Sequence, residues 1–443
     1  MIECEACLGR LGEAPLVRVA GRVTRITGLV AEARGLTVPI GELCYIARRE
    51  AAPLPAEVVG FREGRVFLMP LGDLVGVAPG DRAWATGRRV RVPVGMSLLG
   101  RVLGPMGEPL DSRGALRPEG YAPLLRPPPP AMARQRIVAP LATGIRVIDG
   151  LLTCGQGQRL GIFAGSGIGK STLLGMIARS TTADVNVIGL IGERGREVQE
   201  FIQGDLGPEG LARSVVVVAT SDTSPLLRRQ AAAVATAIAE DFRDRGRAVL
   251  LMMDSLTRFA MAQREIGLAI GEPPTTRGYP PSAFALLPQL LERAGPGAGA
   301  GSITGLYTVL VEGDDMNEPV ADAARAILDG HITLSRELTD RGHYPPVDVL
   351  ASVSRVMPNV TTRTQQEAAA RLREALATAR DVEDLVRIGA YAAGSDPTVD
   401  WALKHLPAIQ TYLRQGVEER ADFRDTVERL ETMWQSGATR GGK

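Results

Sequence analysis

The chain has 443 residues and a net charge of +1, because its 51 lysines and arginines nearly balance its 50 aspartates and glutamates. This balance, together with an aromatic content of only 4%, excludes a strongly basic protein that coats nucleic acid and a polybasic membrane binder. A chain of this length is expected to fold into more than one domain.

The sequence also indicates a cytoplasmic protein. No run reaches the roughly 18–20 apolar residues that cross a bilayer, and the first residues lack a signal-peptide pattern. Four cysteines in the chain fit a reducing compartment. Cys4 and Cys7 form a C-x-x-C without a second pair or histidines at ligand spacing. We therefore interpret this pair as inert rather than as a metal site.

Residues 1–93 are predicted to form a small β-barrel domain after a short leader. Short alternating runs broken by glycine, such as LVRVAGRVTRITGLV and AEVVGFREGRVFLMPLG, are typical of barrel strands rather than helices. The proline-rich stretch RPEGYAPLLRPPPPAMARQR, residues 117–136, is predicted to be an extended connector.

Residues 94–360 are predicted to form an α/β domain, and residues 361–443 a helical domain. In the central part, apolar strand-like runs alternate with helical stretches, which indicates a parallel sheet covered by helices. After residue 360 the pattern is helical throughout, as in RTQQEAAARLREALATARD.

The stretch FAGSGIGKST, from Phe163 to Thr172, predicts a phosphate-binding loop. It lies between a strand-like run and a helix-like run, so its backbone N–H groups and the helix dipole can hold phosphate. Lys170 would reach the β- and γ-phosphates, and the Ser171 hydroxyl would bind Mg²⁺. Ala164 stands where the strict motif has glycine, a conservative departure. The predicted nucleotide-binding residues are Gly165, Ser166, Gly167, Ile168, Gly169, Lys170, Ser171 and Thr172.

Two acidic residues end neighbouring strand-like runs and are candidates for catalysis. The run RAVLLMMDSLTRFA places Asp254 where a Walker-B carboxylate holds Mg²⁺ through its water shell. The run VNVIGLIGERGREV places Glu193 where a carboxylate can orient and deprotonate the attacking water. The structural alternative for either acid is a helix N-cap or a surface carboxylate.

Five longer motifs stand out in the sequence: GERGREV, SLTRFAMAQREIGLAIGEPP, RGYPPSAFALLPQLLERAG, YTVLVEGDDMNEPVADAARAILDGHI and PPVDVLASVSR. They make the sequence similar to the flagellar protein-export ATPases. This family is related to the rotary ATP synthase α and β subunits and includes the type III secretion ATPases of injectisomes. The resemblance covers residues from about Gly21 to Met433, and it implies a RecA-like P-loop NTPase core with an N-terminal β-barrel and a C-terminal helical domain.

The resemblance implies roles for individual residues. Glu193 matches the catalytic glutamate, and Arg194 matches an arginine that contacts the γ-phosphate. Glu197 matches an acid beside the water ligands of Mg²⁺. Tyr344 matches an aromatic that packs on adenine, and Arg355 matches an arginine finger that reaches a neighbouring subunit's site.

One chain therefore carries both the glutamate and the finger, which the rotary synthases divide between two kinds of subunit. This predicts a homohexamer with a complete site at every interface. The resemblance also implies a stator-like regulator, a central stalk-like protein, membrane proteins of an export gate, and export chaperones with their substrates as partners. The ring would act at the cytoplasmic face of the membrane export apparatus.

Several functions remain as alternatives to a flagellar export ATPase. The nearest is the ATPase of an injectisome, because IGELCYI and GIRVIDGLLTCGQGQR fit those enzymes as well. More distant alternatives are an ATP synthase subunit and a Rho-type RNA translocase. The near-zero net charge of the chain disfavours the RNA translocase. A non-catalytic ring subunit is expected to have lost Lys170 or Glu193, and both are present.

Overall fold

The computed structural model describes residues 20–311 and 315–434. Cys4 and Cys7 lie outside these ranges, so their predicted inertness stays a prediction. The described chain forms an N-terminal barrel, a central sheet covered by helices and a C-terminal group of helices. The predicted α/β architecture with an N-terminal β-barrel and a C-terminal helical domain is therefore confirmed.

The barrel closes in the strand order β1-β2-β5-β4-β3-β6. Its side chains alternate between the two faces, as the sequence pattern indicated; on β3, Cys44 and Ile46 are fully buried while Tyr45 stacks on Trp84 from the outer face. The strands are β1 (Ala20–Thr27), β2 (Val30–Arg34), β3 (Glu42–Arg48), β4 (Ala51–Arg62), β5 (Arg65–Pro70) and β6 (Arg82–Arg89).

The segment after the barrel packs against the central domain. Strands β7 (Arg91–Val94) and β9 (Gly120–Pro123) pair antiparallel, and β8 (Val102–Leu103) joins the edge of the central sheet. Leu124 is buried in the central core. Part of the predicted extended connector is thus a paired strand, because its residues meet a partner strand that lies 26 to 32 positions earlier in the chain.

Within the part of the chain that the structure describes, the central sheet has nine strands, in the order β19-β18-β12-β17-β15-β13-β14-β8 with β16 paired to β17. The strands from β18 to β8 run parallel, whereas β19 and β16 are antiparallel to their neighbours. Strands β10 (Pro140–Leu141) and β11 (Cys154–Gly155) form a separate, small antiparallel pair that comes before β12 in the chain. The remaining strands are β12 (Arg159–Ala164), β13 (Val185–Glu193), β14 (Ser214–Thr220), β15 (Ala248–Asp254), β16 (Gly295–Pro296), β17 (Ser302–Leu310), β18 (Gly330–Leu334) and β19 (Val347–Ser354).

Helices cover both faces of this sheet, as expected for a mostly parallel sheet. Several start at side-chain caps; Ser255, for example, accepts a hydrogen bond from the Arg258 N–H. They are α1 (Arg146–Leu151), α2 (Lys170–Ser180), α3 (Gly195–Glu200), a π-helix (Phe201–Leu206), α4 (Gly207–Ala212), α5 (Pro225–Asp244), α6 (Leu256–Ala269), α7 (Pro281–Leu291), α8 (Pro319–Ile327) and α9 (Arg336–Asp340). Short 3₁₀ turns occupy Met96–Leu98, Ala131–Ala133 and Thr276–Gly278.

The C-terminal helices share a core with the central domain. Leu372 and Ile409 are fully buried in the same cluster as Ile162 of β12. No helix within the described residues combines the length and apolar character needed to span a membrane. The helices are α10 (Met357–Val360), α11 (Arg363–Asp381), α12 (Glu383–Arg387), α13 (Pro397–Leu413) and α14 (Phe423–Thr432).

Candidate nucleotide site

The predicted site residues meet at the carboxyl edge of the central sheet. Parallel strands β12, β13, β15 and β17 are neighbours in the sheet and end on the same side. The phosphate loop follows β12, while Glu193 ends β13 and Asp254 ends β15. Ligands of open α/β sheets bind at this edge, because loops there converge and helices begin there.

The phosphate loop has the backbone that its glycines were expected to provide. Gly167 and Gly169 adopt positive φ angles of 77° and 85°, which other residues rarely adopt. Ile168 between them is 1% exposed and anchors the loop in the core. Helix α2 then begins at Lys170, so its first N–H groups face the space that the loop encloses.

Lys170 joins the loop to both acidic strand ends. Its Nζ donates to Asp254 Oδ1 and lies 3.6 Å from Glu193 Oε1. Asp254 Oδ1 also accepts a hydrogen bond of 2.7 Å from the Thr308 hydroxyl on β17. Burial would lower the pKa of Lys170, but the charges of Asp254 and Glu193 raise it overall. Lys170 is therefore held as a cation at the centre of the site.

Glu193 is the acid whose protonation changes most in this environment. Burial, followed by the negative charge of Asp254, raises the pKa of the Glu193 carboxyl to about 7, although Lys170 opposes the shift. A carboxylate with a pKa near neutrality is a stronger base than an ordinary glutamate, and about half of it is ionised near pH 7. The alternative of an exposed surface carboxylate does not fit, since only 16% of the side chain is exposed.

Glu197 and Arg194 lie on the outer side of Glu193. Burial alone would raise the pKa of Glu197, but its hydrogen bond with Glu193 lowers it. Arg194 has a side chain that is 81% exposed and contacts Glu197 Oε1 at 3.4 Å. The structure thus places Glu197 beside the catalytic candidate and leaves the Arg194 guanidinium at the surface of the site.

Tyr344 lies on the other flank of the phosphate loop. A methyl group placed on Gly169 would lie 4.0 Å from Tyr344 Cε1, and 46% of the tyrosine is exposed. The ring is therefore available to stack on a flat group beside the phosphates. Arg336, at the start of α9, donates to the Ser166 carbonyl of the loop at 3.1 Å.

Arg355 is the predicted site residue that the fold does not bring to this edge. Strand β19 is antiparallel to β18, and Ser354 pairs with Gly330 at the amino end of β18. Gly161 of β12 is level with His331. At about 3.3 Å per residue, Arg355 lies roughly 17 Å from the end of β12, too far to reach its own phosphate loop. Arg355 is exposed, and its guanidinium donates to the Leu328 carbonyl at 3.3 Å.

Three further polar residues belong to this edge and were not singled out from the sequence. Thr308 and Arg336 make the contacts described above. Arg258 on α6 packs against Gly192, and its Nε is buried without a hydrogen-bond partner in the described part of the chain. The stretch SLTRFA carried a signal for Arg258, because it directly follows the Walker-B strand. Thr308 and Arg336 had no such signal, since Asp254 and Ser166, which they contact, lie 54 and 170 positions away from them in the sequence.

The oxygen donors at this edge suit Mg²⁺. The Ser171 hydroxyl lies in the first turn of α2, next to the lysine that contacts Asp254. A hydroxyl and a carboxylate are hard ligands, and Mg²⁺ commonly takes one or two such groups and completes its shell with waters and substrate phosphates. No cluster of three or more histidines, cysteines or acids that could hold a metal occurs within residues 20–311 and 315–434.

Family comparisons divide the chain in the same way as the structure. Residues 23–87 match the β-barrel domain of the ATP synthase alpha/beta family, and residues 144–354 match the nucleotide-binding domain of that family. Residues 361–432 match the C-terminal domain of the T3SS EscN ATPase.

Individual relatives match over almost the whole chain. The chain is 54% identical to a flagellum-specific ATP synthase of Salmonella typhimurium, over 95% of this chain and 94% of the relative. It is 53% identical to a type 3 secretion system ATPase of Xanthomonas euvesicatoria, over 93% of each. Among solved structures, the assembled ATPase EscN of enteropathogenic E. coli gives a TM-score of 0.88 at 46% identity, covering 93% of this chain and 99% of that one. The assembled EscN in complex with its central stalk EscO gives a TM-score of 0.85 at 45% identity, with the same coverage.

Proposed function

The chain belongs to the family of flagellum-specific ATP synthases and type III secretion system ATPases, and we propose that it hydrolyses ATP for flagellar protein export. The resemblance inferred from the sequence is thereby confirmed. As an ATPase of this family the protein acts on a nucleotide. Mg²⁺, the roles of single residues, the ring and its partners form the finer part of the proposal.

The observation that carries the proposal is the meeting of Lys170, Asp254 and Glu193. A phosphate loop alone is compatible with a switch, a kinase or a motor. The added carboxylate at the end of β13, with a pKa of about 7, is what a hydrolase needs to orient and deprotonate water. Lys170 would neutralise the charge that develops between the β- and γ-phosphates.

The loop and its neighbours hold the nucleotide. Backbone N–H groups from Gly165 to Thr172 surround the phosphates, and Tyr344 stacks on the adenine. Ser171 and Asp254 would hold Mg²⁺, with Glu197 close to its water ligands. Bound there, the metal ion would neutralise part of the charge on the phosphates.

A second copy of the chain completes the site. Arg355 is exposed, is held through the Leu328 carbonyl and lies at the far edge of its own sheet, where it can project into a neighbour. A closed ring of identical subunits would place one such finger at every site. The assembled state of the related EscN supports a homohexamer for this chain.

The family also suggests the setting in which the ring works. EscN binds a central stalk, EscO, so a stalk-like protein is the first partner proposed for this chain. A stator-like regulator, the export gate, and chaperones with their substrates would complete the apparatus at the cytoplasmic face of the membrane. Hydrolysis would release chaperones from export substrates and unfold those substrates.

The proposal is tested by separating nucleotide binding from hydrolysis. Lys170→Ala removes the cation that faces the phosphates, so both ATP affinity and turnover should fall. Glu193→Gln keeps the size of the side chain but cannot accept a proton, so it should bind ATP normally and lose turnover by about 10²-fold or more. Calorimetric binding and steady-state phosphate release measure the two properties. Near-wild-type turnover in either variant would contradict the assigned role.

The injectisome reading remains the second candidate, because the type 3 secretion system ATPase of Xanthomonas is about as similar as the flagellar relatives. Purification from the native cell distinguishes the two systems. Flagellar export-gate and stator proteins should accompany the tagged chain, and recovery of injectisome components instead would transfer the function to that system.

A further inference from the structure

A buried glutamine joins the C-terminal helical domain to the nucleotide site. Gln415 follows α13 and is only 4% exposed. Its side-chain amide uses both of its ends: Oε1 accepts from the Arg146 backbone N–H at 2.7 Å, and Nε2 donates to the carbonyls of Gly144 and Glu419, each at 2.8 Å. The amide thus holds together the start of α1 in the central domain and the end of the C-terminal helix α13.

The same residue fixes the main chain of Tyr344. The backbone N–H of Gln415 donates to the Tyr344 carbonyl at 2.9 Å. Tyr344 therefore lies between two constraints, with its ring near Gly169 of the phosphate loop and its carbonyl on Gln415. A residue whose side chain is half exposed has few contacts of its own, so its orientation depends on its main chain.

Arg146 reinforces this connection from the central domain. Its guanidinium donates to the carbonyls of Tyr412 and Arg414, at 3.2 and 2.9 Å, and to the Glu419 carboxylate. These bonds surround Gln415 on both sides in sequence. The residues around Gln415 are therefore fixed relative to α1, and so is the N–H that Gln415 presents to Tyr344.

We propose that Gln415 is a positioning residue for adenine, which sets the Tyr344 ring beside the phosphate loop by tying its main chain to the junction of the central and C-terminal domains. The proposal rests on the adenine role of Tyr344 given above. A movement of α13 relative to α1 would displace the Gln415 N–H, which donates to the Tyr344 carbonyl. The affinity for adenine would therefore depend on the position of the C-terminal domain.

The test compares two ligands and two backgrounds. The ligands are AMP-PNP, a non-hydrolysable ATP analogue, and tripolyphosphate, which has no base. Gln415→Leu removes the amide at similar volume and should weaken AMP-PNP binding about three- to tenfold, while tripolyphosphate binding stays unchanged. In a Tyr344→Ala background the same substitution should have no further effect on AMP-PNP. Gln415→Glu keeps the acceptor for Arg146 and should lie between Leu and wild type, which gives a milder variant if Leu folds poorly.

Gln365 on α11 provides the matched control. It is 2% exposed, and its Nε2 donates across the same domain junction to the carbonyls of Asp149 and Gly150 and to the Thr153 hydroxyl. It makes no hydrogen bond to Tyr344. Gln365→Leu should lower the melting temperature like Gln415→Leu but leave the ratio of AMP-PNP to tripolyphosphate affinity at the wild-type value.

The outcomes separate this proposal from the one on which it rests. Equal weakening of both ligands, or additive effects of Gln415→Leu and Tyr344→Ala, would show that Gln415 is only structural and would overturn the proposal. Wild-type affinity for AMP-PNP in Tyr344→Ala would instead overturn the adenine role of the tyrosine. Tyr344→Phe should weaken AMP-PNP binding less than Tyr344→Ala does, because the ring and not the hydroxyl supplies the stacking surface.

Discussion

The amino and carboxyl edges of the central sheet differ in how completely their charged side chains are paired. At the amino edge, Arg159 pairs with Asp329 at 3.1 Å and with Glu292, and Arg293 forms a two-pronged bond with Glu240 at 2.9 and 2.8 Å. Burial would lower the pKa of Arg159, but Asp329 and Glu292 raise it overall. Every one of these charges has a partner at the same edge.

At the carboxyl edge the charges are crowded and unequal. Lys170 faces both Asp254 and Glu193, and the pKa of Glu193 rises to about 7 because burial and Asp254 disfavour its charge. Such an arrangement is poor for stability and suited to binding a substrate that brings its own charges. The paired edge thus stabilises the fold, whereas the unbalanced edge is suited to a charged substrate.

Arg355 is the exception at the amino edge, and removing it gives the largest expected effect. Arg355→Ala should leave ATP binding intact, since Lys170, Asp254 and Glu193 remain, while kcat falls by about 10³-fold or more if the residue stabilises transition-state charge in a neighbour. Phosphate release by purified rings measures the loss. Retained turnover would mean that Arg355 is an ordinary surface arginine with no part in hydrolysis.

A mixing experiment shows whether that finger acts between subunits. Arg355→Ala and Glu193→Gln are each expected to be inactive alone. In randomly mixed rings, about a quarter of the interfaces would combine an intact Glu193 with an intact Arg355, as a finger acting in trans requires. Activity should therefore reappear on mixing. No recovery in rings shown to be mixed by a tagged pull-down would exclude action across the interface.

Removing an ion pair at the amino edge should lower the free energy of unfolding but leave ATP turnover unchanged. Arg293 and Glu240 are 3% and 1% exposed, so Arg293→Met leaves an uncompensated buried carboxylate and should destabilise the fold by about 3–5 kcal/mol. Denaturant unfolding measures this loss. Turnover per folded subunit should stay at the wild-type value, and a fall in turnover without a fall in stability would contradict the division between the two edges.

The second partner and an exposed pair serve as controls. Adding Glu240→Leu to Arg293→Met should recover most of the lost stability, because no charge is then left buried. Arg363 and Glu367, with side chains 91% and 58% exposed, form an ion pair of the opposite kind. Arg363→Met should leave the free energy of unfolding unchanged within error.

The carboxyl edge was predictable from sequence because its signals are local. Glycines, Lys170 and Ser171 lie in one short run, and Asp254 and Glu193 each end a recognisable apolar strand. The rule that parallel strands end at one edge then brings the three runs together. The alternation of apolar runs likewise predicted the barrel and the parallel sheet, which the structure confirms.

The paired edge and the support of Tyr344 were not predictable, because their contacts join distant parts of the chain. Arg159 and Asp329 are 170 positions apart, and Arg146 and Gln415 are 269 apart. Surface-type residues carry no pattern that marks them as buried partners until the fold is known. The pairing of β9 with β7 inside the proline-rich stretch escaped prediction for the same reason.

The last and smallest expected effect is the loss of folding stability that the ionised Glu193 causes in the ligand-free protein. Its pKa is raised from the ordinary glutamate value to about 7 in the folded state. Below the unfolded pKa the carboxyl is neutral in both states and costs nothing. As pH rises, the unfolded chain releases the proton first, so the folded state loses stability until the pH passes about 7.

Glu193→Gln removes this titration and should therefore stabilise the ligand-free protein in a pH-dependent way. We expect a gain of about 1–2 kcal/mol at pH 8, and a much smaller gain at pH 5. Urea unfolding of both proteins at the two pH values measures the difference. Glu240→Gln is the contrasting case, because it breaks a satisfied pair and should destabilise at both pH values. If Glu193→Gln gave the same change at pH 5 and pH 8, the pKa of Glu193 would not be raised in the folded state, and the contrast between the two edges would lose its electrostatic basis.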